Sequence, residues 1–421
     1  MERRRYFNRN WYRFLFLAPF LIPSALADVS PLQLFVDLTP EGQVLKPIPG
    51  TYTGSLVIRR AIIFDGGGEV TLDGDSTGTV LTVLADGAIV RNLHIINSGV
   101  SHDQTSAGIL VEANDVIVEN NQLDNVLFGI HLKSTNNSTI RNNTIRSINA
   151  IHTLKGEGIR LWNSASNHIE DNHIIDARDV LFTNSPHNYF INNEITNCRI
   201  GMELIYSPAC LIEGNLFQQN EQGLVGIYSD SLIIRDNRIQ HQKDLWGSAI
   251  AVKGSSQILV QHNEILNCAV GITANAPIFP ENIIIVEGNT FAYNDAAIYL
   301  YGDRGGHIIH DNIFKGNFQQ VMVTRASAAV DNDWVGNYWD DYTGFDFDLD
   351  GIGDQPYLLY LYSERLWMDY DMARFFRGSP LLEMIDLVER IVSFSDPPLV
   401  LKDEKPQVGR EVKPLISHGD K

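Results

Sequence analysis

An acidic stretch in the last quarter of the chain has the spacing of a binding site for a hard cation. Within FDFDLDGIGDQPY, four carboxylates recur at short intervals: Asp346, Asp348, Asp350 and Asp354. Alternating carboxylates with Gly351 at the turn match the first part of an oxygen-ligand Ca2+ loop, although Tyr357 stands where a bidentate glutamate is usual. We predict a structural site for a hard cation such as Ca2+. The alternative is a plain acidic loop held by Gly351 and Pro356.

Soft metal ligands of the thiolate and thioether type are scarce in this sequence. Met368 and Met372 lie four residues apart beside Trp367 and could share one face of a helix. The three cysteines are interpreted as buried small residues: Cys198, Cys210 and Cys268. No Cys-rich or Met-rich metal-binding cassette is present.

The sequence predicts no catalytic residues. Glycoside hydrolysis needs two carboxyl groups that face one groove. The acids in the first three quarters of the chain are scattered, and those such as Asp171 and Asp236 stand directly before an asparagine of a repeat, where solvated turn residues are expected. His131, at an alternate position of a strand, is the one histidine interpreted as a candidate groove residue.

The repeat that positions these residues has the form apolar-x-x-Asn-x-apolar. Its asparagines recur at intervals of 21 to 29 residues: Asn121, Asn143, Asn172, Asn193, Asn215, Asn237, Asn263, Asn289, Asn312 and Asn337. Short strands at this period, without helices, are typical of a solenoid whose coils bury apolar residues by stacking. We predict an all-β, right-handed parallel β-helix of about 11–12 coils over residues 28–339, with a short α-helical C-terminal tail. Each asparagine is expected to adopt turn geometry and to bond to the asparagine one coil away.

The N-terminal residues 1–27 have the features of an export signal. Five arginines precede the apolar run 14–27, and the mature chain is expected to begin at Asp28. General secretory and twin-arginine export both remain open. The formal charge of −19 argues against a nucleic-acid partner.

The residues after the last repeat do not have the asparagine pattern. Trp334 and Trp339 occupy the inward positions of the last repeat and are expected to plug the core, and residues 340–365 are predicted to form an acidic loop and end cap. Residues 366–400 are predicted to form an amphipathic docking segment, and residues 401–421 a flexible tail. The apolar docking residues are Phe375, Phe376, Leu381, Met384, Ile385, Val388 and Ile391. Packing of the helix across the end of its own rod is the alternative.

An asparagine-ladder solenoid followed by GNYWDDYTGFDFDLDGIGDQPY resembles the NosD family of periplasmic accessory proteins of nitrous oxide reductase maturation. The resemblance covers almost the whole mature chain. It implies a non-catalytic part of a NosDFY-type ABC transporter assembly, held at the membrane through NosY-type and NosF-type subunits. It also implies copper delivery to apo nitrous oxide reductase, with a NosL-type chaperone as the copper donor. On that basis Met368 and Met372 are the candidate copper ligands, with ordinary packing as the alternative. A transient copper site shared with a partner stays open. An exported polysaccharide lyase, epimerase or glycosidase is the alternative.

Overall fold

The computed structural model describes residues 30–242, 247–275, 282–302, 304–325, 327–361, 379–391 and 397–409. The predicted signal segment and four candidate residues lie outside these ranges: Met368, Met372, Phe375 and Phe376.

The chain forms the predicted parallel β-helix, with about 12 turns. One strand from each turn joins a 12-stranded parallel sheet. These strands are β3 (Leu56–Ile58), β5 (Leu81–Val83), β7 (Ala107–Val111), β10 (Phe128–Lys133), β13 (Ile159–Trp162), β16 (Asp179–Thr183), β19 (Ile200–Ile205), β22 (Gln222–Ile227), β25 (Ser248–Lys253), β28 (Val270–Asn275), β31 (Ala296–Tyr301) and β34 (Gln319–Val323).

The remaining strands of the rod form a 24-stranded sheet, to which most turns contribute two short strands on either side of a ladder asparagine. These strands are β1 (Val44–Leu45), β2 (Gly50–Thr53), β4 (Ile63–Asp73), β6 (Ile89–Ile96), β8 (Ile117–Glu119), β9 (Gln122–Val126), β11 (Thr139–Arg141), β12 (Thr144–Ser147), β14 (His168–Glu170), β15 (His173–Ile175), β17 (Tyr189–Ile191), β18 (Glu194–Thr196), β20 (Leu211–Glu213), β21 (Leu216–Gln218), β23 (Ile233–Arg235), β24 (Arg238–Gln240), β26 (Ile258–Gln261), β27 (Glu264–Leu266), β29 (Ile284–Glu287), β30 (Thr290–Ala292), β32 (Ile308–His310), β33 (Ile313–Lys315), β35 (Asp333–Val335) and β36 (Tyr338–Trp339).

Helices occupy the ends and one lateral loop. They are α1 (Gln33–Leu38), a 3-10 helix (His152–Leu154), α2 (Ser327–Val330) and α3 (Pro380–Ile391). Leu32 and Val36 are buried in the rod core, so the N-terminal apolar cluster covers the first coil as a short helix.

Apolar side chains stack in register along the axis. Ile174, Ile195 and Phe217 pair in successive coils and are fully buried. Each coil leaves apolar surface that the next coil covers, so burial accumulates along the rod rather than within a coil.

The predicted asparagine ladder runs from Asn121 to Asn337. In each step the side-chain amide Nδ2 donates to Oδ1 of the asparagine in the next coil, at 2.9–3.1 Å. The turn geometry differs from the expectation: the left-handed backbone belongs to the residue before each ladder asparagine, as at Asp171 and Asp236, both with φ of 55°. Those acids are therefore turn residues, as the sequence indicated.

Further ladders were not anticipated, and two of them involve serines and cysteines. In one, the backbone N–H of Thr135 and of later serines donates to the serine hydroxyl of the following coil: Ser164, Ser185, Ser207, Ser229 and Ser255. In the other, Cys198 and Cys268 donate backbone N–H groups to Asn220 and Asn294. All three cysteines are buried and unbridged.

The C-terminal end of the rod is closed by a hairpin of two strands, β37 (Tyr357–Tyr360) and β38 (Leu399–Asp403), paired antiparallel. Trp334 and Trp339 are buried in the last coil, as predicted. The ring of Trp339 stacks between Phe314 and Tyr357, with centroids 4.2 and 4.5 Å away.

Asp403 terminates the asparagine ladder. Its side chain is fully buried, and Oδ2 accepts hydrogen bonds from the Asn337 backbone N, from Asn337 Nδ2 and from Trp339 Nε1, at 3.0 to 3.1 Å. Oδ1 accepts from the backbone N–H groups of Gly336 and Lys405. The structure therefore differs from the division drawn at residue 400. Residues 399–403 form one strand of the end cap, whereas residues 399 and 400 were predicted to belong to the docking segment and residues 401–403 to the flexible tail.

Candidate functional site

The acidic loop brings three of its four predicted ligands together. Side-chain oxygens of Asp346, Asp348 and Asp350 all lie within 4.8 Å of one another. Asp354 is directed elsewhere, since its Oδ2 accepts the backbone N–H of Phe347 at 2.6 Å. Asp346 Oδ2 accepts the N–H of Gly351 at 3.0 Å, which fixes the turn. The arrangement supplies several carboxylate oxygens on one side of a tight loop.

The surrounding carboxylates affect the pKa of Asp348. The backbone N–H of Asp350 lowers the pKa of Asp348, but the negative charge of Asp350, with contributions from Asp346 and Asp354, outweighs it. The pKa of Asp348 is therefore raised above its ordinary value. A divalent cation would relieve the same repulsion.

Ca2+ is expected to raise the unfolding temperature of the mature protein by a few degrees, because binding to the folded state alone adds stability. The double variant Asp348→Asn/Asp350→Asn should lose this shift in a thermal unfolding assay with and without Ca2+. Asp171→Asn, which removes an exposed turn carboxylate, is the matched control. An equal shift in all three proteins would show that the loop does not bind the ion.

The three cysteines do not supply a soft-donor site for copper. Burial raises the pKa of the Cys198, Cys210 and Cys268 thiols to about 12, so none of them is a ready thiolate. The acidic loop is the one convergent group of three or more histidine, cysteine or acidic side chains found within the described ranges. Its oxygen ligands suit a hard cation better than Cu(I).

His131 lines a cleft on the outward face of the 12-stranded sheet. Its ring is 4% exposed, and neither ring nitrogen has a hydrogen-bond partner. The pKa of His131 is lowered to about 3. Burial is the largest cause, and the positive charges of Arg160 and Lys133 add to it. The imidazole is therefore neutral at ordinary pH, and it can both donate and accept a hydrogen bond.

Acid should destabilise the protein partly through His131. Its pKa is about 3 when folded, against 6.5 ordinarily, so the unfolded chain takes up the proton first as the pH falls. Stability from the neutral ring is thus present above pH 6.5 and is lost between 6.5 and 3. The free energy of unfolding should decrease between about pH 7 and 4.5 in the unaltered protein. In His131→Gln this decrease should be smaller by about 2–3 kcal/mol.

Urea unfolding at the two pH values measures this difference. Asp103, Lys133 and Arg160 line the same cleft and are kept unchanged. His187→Gln, which replaces an exposed histidine, is the control. Identical pH dependence in the His131 variant and the unaltered protein would contradict the assignment.

The predicted docking helix α3 presents apolar side chains to solvent. Four of the named docking residues are exposed, Leu381, Met384, Ile385 and Val388, and so is Leu387 between them. Packing of this face on the rod, the alternative drawn from the sequence, is not seen. Ile391 ends the helix, and its side chain lies outside the description.

The segment that carries α3 is a loop anchored at both ends. It leaves β37 and returns to β38, where Tyr360 and Leu399 are paired and the N–H of Leu361 donates to the carbonyl of Pro398 at 3.0 Å. The exposed helix is therefore tethered at the C-terminal end of the rod. Across the described residues, no helix is long and apolar enough to cross a membrane.

The fold and these features define the class: a capped, asparagine-ladder parallel β-helix protein with an acidic loop and a tethered amphipathic helix. A family model described as "Periplasmic copper-binding protein (NosD)" matches residues 145–344. The resemblance to the NosD family that the sequence indicated is confirmed by this match together with two curated relatives.

Both relatives carry the name "Probable ABC transporter binding protein NosD". The protein from Pseudomonas aeruginosa is 26% identical over 373 residues, which cover 81% of this chain and 82% of the relative. The protein from Stutzerimonas stutzeri is 23% identical over 402 residues, or 88% of each chain. The similarity thus extends well beyond the residues of the family model.

Solved structures with a similar fold are more distant. An exopolygalacturonase from Thermotoga maritima has a TM-score of 0.44 and 12% identity, covering 67% of this chain and 84% of its own. A mannuronan C-5 epimerase A-module from Azotobacter vinelandii has a TM-score of 0.45 and 17% identity, covering 69% and 92%. Likenesses at this level do not bear on activity.

Proposed function

We propose that the chain is a non-catalytic periplasmic component of a NosDFY-type ABC transporter assembly that supports copper delivery to nitrous oxide reductase during its maturation. The observation that carries the proposal is the exposed apolar face of α3, held at the capped end of the rod. The names of the two relatives and the description of the family model support the same role.

The attachment of this segment to β37 and β38 holds the apolar face of α3 near the C-terminal end of the rod. Because β37 and β38 are paired beneath it, the loop over residues 361–398 starts and ends at the same point of the rod. An apolar helix face in water is unfavourable, and burial against a membrane subunit of NosY type would remove it from water. The NosF-type ATPase would then act on the rod through that subunit.

Copper is proposed as transient cargo rather than a resident ion. The described part of the chain offers buried thiols and a hard-cation loop, neither of which suits rapid exchange of Cu(I). Met368 and Met372 remain the predicted ligands. In the sequence they fall between β37 and α3, and a NosL-type donor or apo nitrous oxide reductase could complete the coordination.

The glycosidase alternative gains no acid pair from the cleft. Among the described residues that line it, Asp103 is the one carboxylate, whereas hydrolysis needs two carboxyl groups. Screening the mature protein for turnover of uronate and neutral polysaccharides tests this alternative.

Co-purification of the transporter subunits with the chain tests the proposed docking. The unaltered protein is expected to retain both subunits, and variants of the α3 face are expected to lose them.

A further inference from the structure

The cleft around His131 has the composition of a ligand site that the proposed function does not use. It has a volume of about 310 Å³. Its floor is the outward face of three neighbouring strands, where Leu110, His131 and Arg160 lie in register on β7, β10 and β13. One wall comes from the loop over residues 103–105, which adds an acid, an amide and a hydroxyl.

Buried nitrogens of two side chains in the cleft have no hydrogen-bond partner. Neither nitrogen of the His131 ring has a hydrogen-bond partner, although the ring is 4% exposed. Arg160 Nε is also buried and without a hydrogen-bond partner. Buried polar groups are normally paired, because an unpaired one loses its hydration without compensation. A ligand in the cleft could supply both a donor and acceptors to these groups.

The aromatic and cationic side chains of the cleft indicate which class of ligand it could bind. Trp162 exposes 38% of its surface and lies in register beside Lys133. The Arg160 guanidinium lies 5.5 Å from the Trp162 ring centre. Two cationic side chains and one carboxylate line the cleft. Lys133 is already paired with Glu112 at 2.6 Å, whereas the nearest Arg160 nitrogen lies 3.9 Å from Glu157 and Arg160 Nε has no hydrogen-bond partner. Arg160 is therefore the cation that an anion in the cleft could contact. A flat aromatic surface bordered by polar side chains suits the apolar face of a sugar ring, with the polar side chains fixing its orientation.

We propose that this cleft binds an acidic saccharide residue of the hexuronate type. Its carboxylate would pair with Arg160, its ring face would pack on Trp162, and a hydroxyl would bond to His131. The proposal stands apart from transporter docking, since the α3 face is not among the lining residues.

Binding of glucuronate to the mature full-length protein, with glucose as the uncharged counterpart, tests the proposal. Histidine ring resonances and ligand-observed NMR report on the contact. Glucuronate should bind about tenfold or more tightly than glucose and should shift the His131 resonances and raise the pKa of that ring. Arg160→Gln and Trp162→Ala should each weaken glucuronate binding about tenfold.

Tyr228→Ala is the matched control, because it removes an exposed aromatic ring from the rod outside the cleft. This variant should bind glucuronate like the unaltered protein. Failure of glucuronate to bind the unaltered protein, equal affinity for glucose, or unchanged binding by the Trp162 variant would each overturn the proposal. The comparison of the two sugars needs no variant, so a misfolded mutant cannot obscure the result.

Discussion

Reversing the polarity of the α3 face is expected to abolish association with the transporter while the rod stays folded. The triple variant Leu381→Glu/Met384→Glu/Val388→Glu replaces three exposed apolar side chains. Burial of each apolar side chain contributes about 1.5–3 kcal/mol, so the three together contribute more than about 4 kcal/mol, or a thousandfold in affinity. Co-purification from membranes and titration of the reconstituted transporter measure the loss.

A helix at the other end of the rod provides the matched control. Leu34, Phe35 and Leu38 are exposed on α1, and Leu34→Glu/Phe35→Glu/Leu38→Glu makes the same change of charge away from the C-terminal cap. Both variants should unfold at the temperature of the unaltered protein. Retention of the transporter by the α3 variant, or its loss by the α1 variant, would show that docking uses another surface.

Substitution of Asp403 by alanine is expected to destabilise the C-terminal end of the rod by about 3–5 kcal/mol, the range for a broken buried charged network. Its carboxylate accepts five hydrogen bonds, two at Oδ1 and three at Oδ2, from groups at the end of the ladder. Alanine would leave all five donors without this acceptor. Urea unfolding followed by tryptophan fluorescence suits the measurement, because Trp339 Nε1 is one of the donors.

Asp403→Asn separates acceptor geometry from packing. It keeps one side-chain oxygen and places an amide donor against other donors, so its stability should lie between those of the alanine variant and the unaltered protein. Asp171→Asn replaces an exposed turn acid with a residue that also tolerates the left-handed backbone there, and it should change stability by less than about 0.5 kcal/mol. A loss below about 1 kcal/mol in Asp403→Ala would mean that the cap does not depend on this carboxylate.

The end cap also changes how the docking segment should be deleted. Residues 366–397 can be removed with β38 left in place, whereas a deletion through residue 400 also removes Leu399 and Val400 from the cap strand. The longer deletion would therefore combine loss of docking with loss of the cap. The shorter deletion separates the two effects.

The repeating part of the fold could be predicted from the sequence because each coil has the same pattern of apolar residues and asparagine. An asparagine such as Asn193 lies between inward apolar residues at a fixed spacing, and its bonds go to the equivalent positions of neighbouring coils. Periodicity therefore predicts register, burial and the main ladder together. The plug of Trp334 and Trp339 followed from the same spacing.

Features that depend on contacts outside the period were decided by the tertiary structure. Asp403 lies 66 residues beyond Asn337, and only the return of the chain to the end of the rod brings its carboxylate to the ladder. The cleft at His131 needs three coils in register and a loop from an earlier turn. The sequence by itself determined the solenoid, its ladder and the amphipathic helix, because these arise from local periodicity. The tertiary structure decided the cap, the tether and the cleft, because long-range chain return and lateral stacking leave no repeated pattern in the residues.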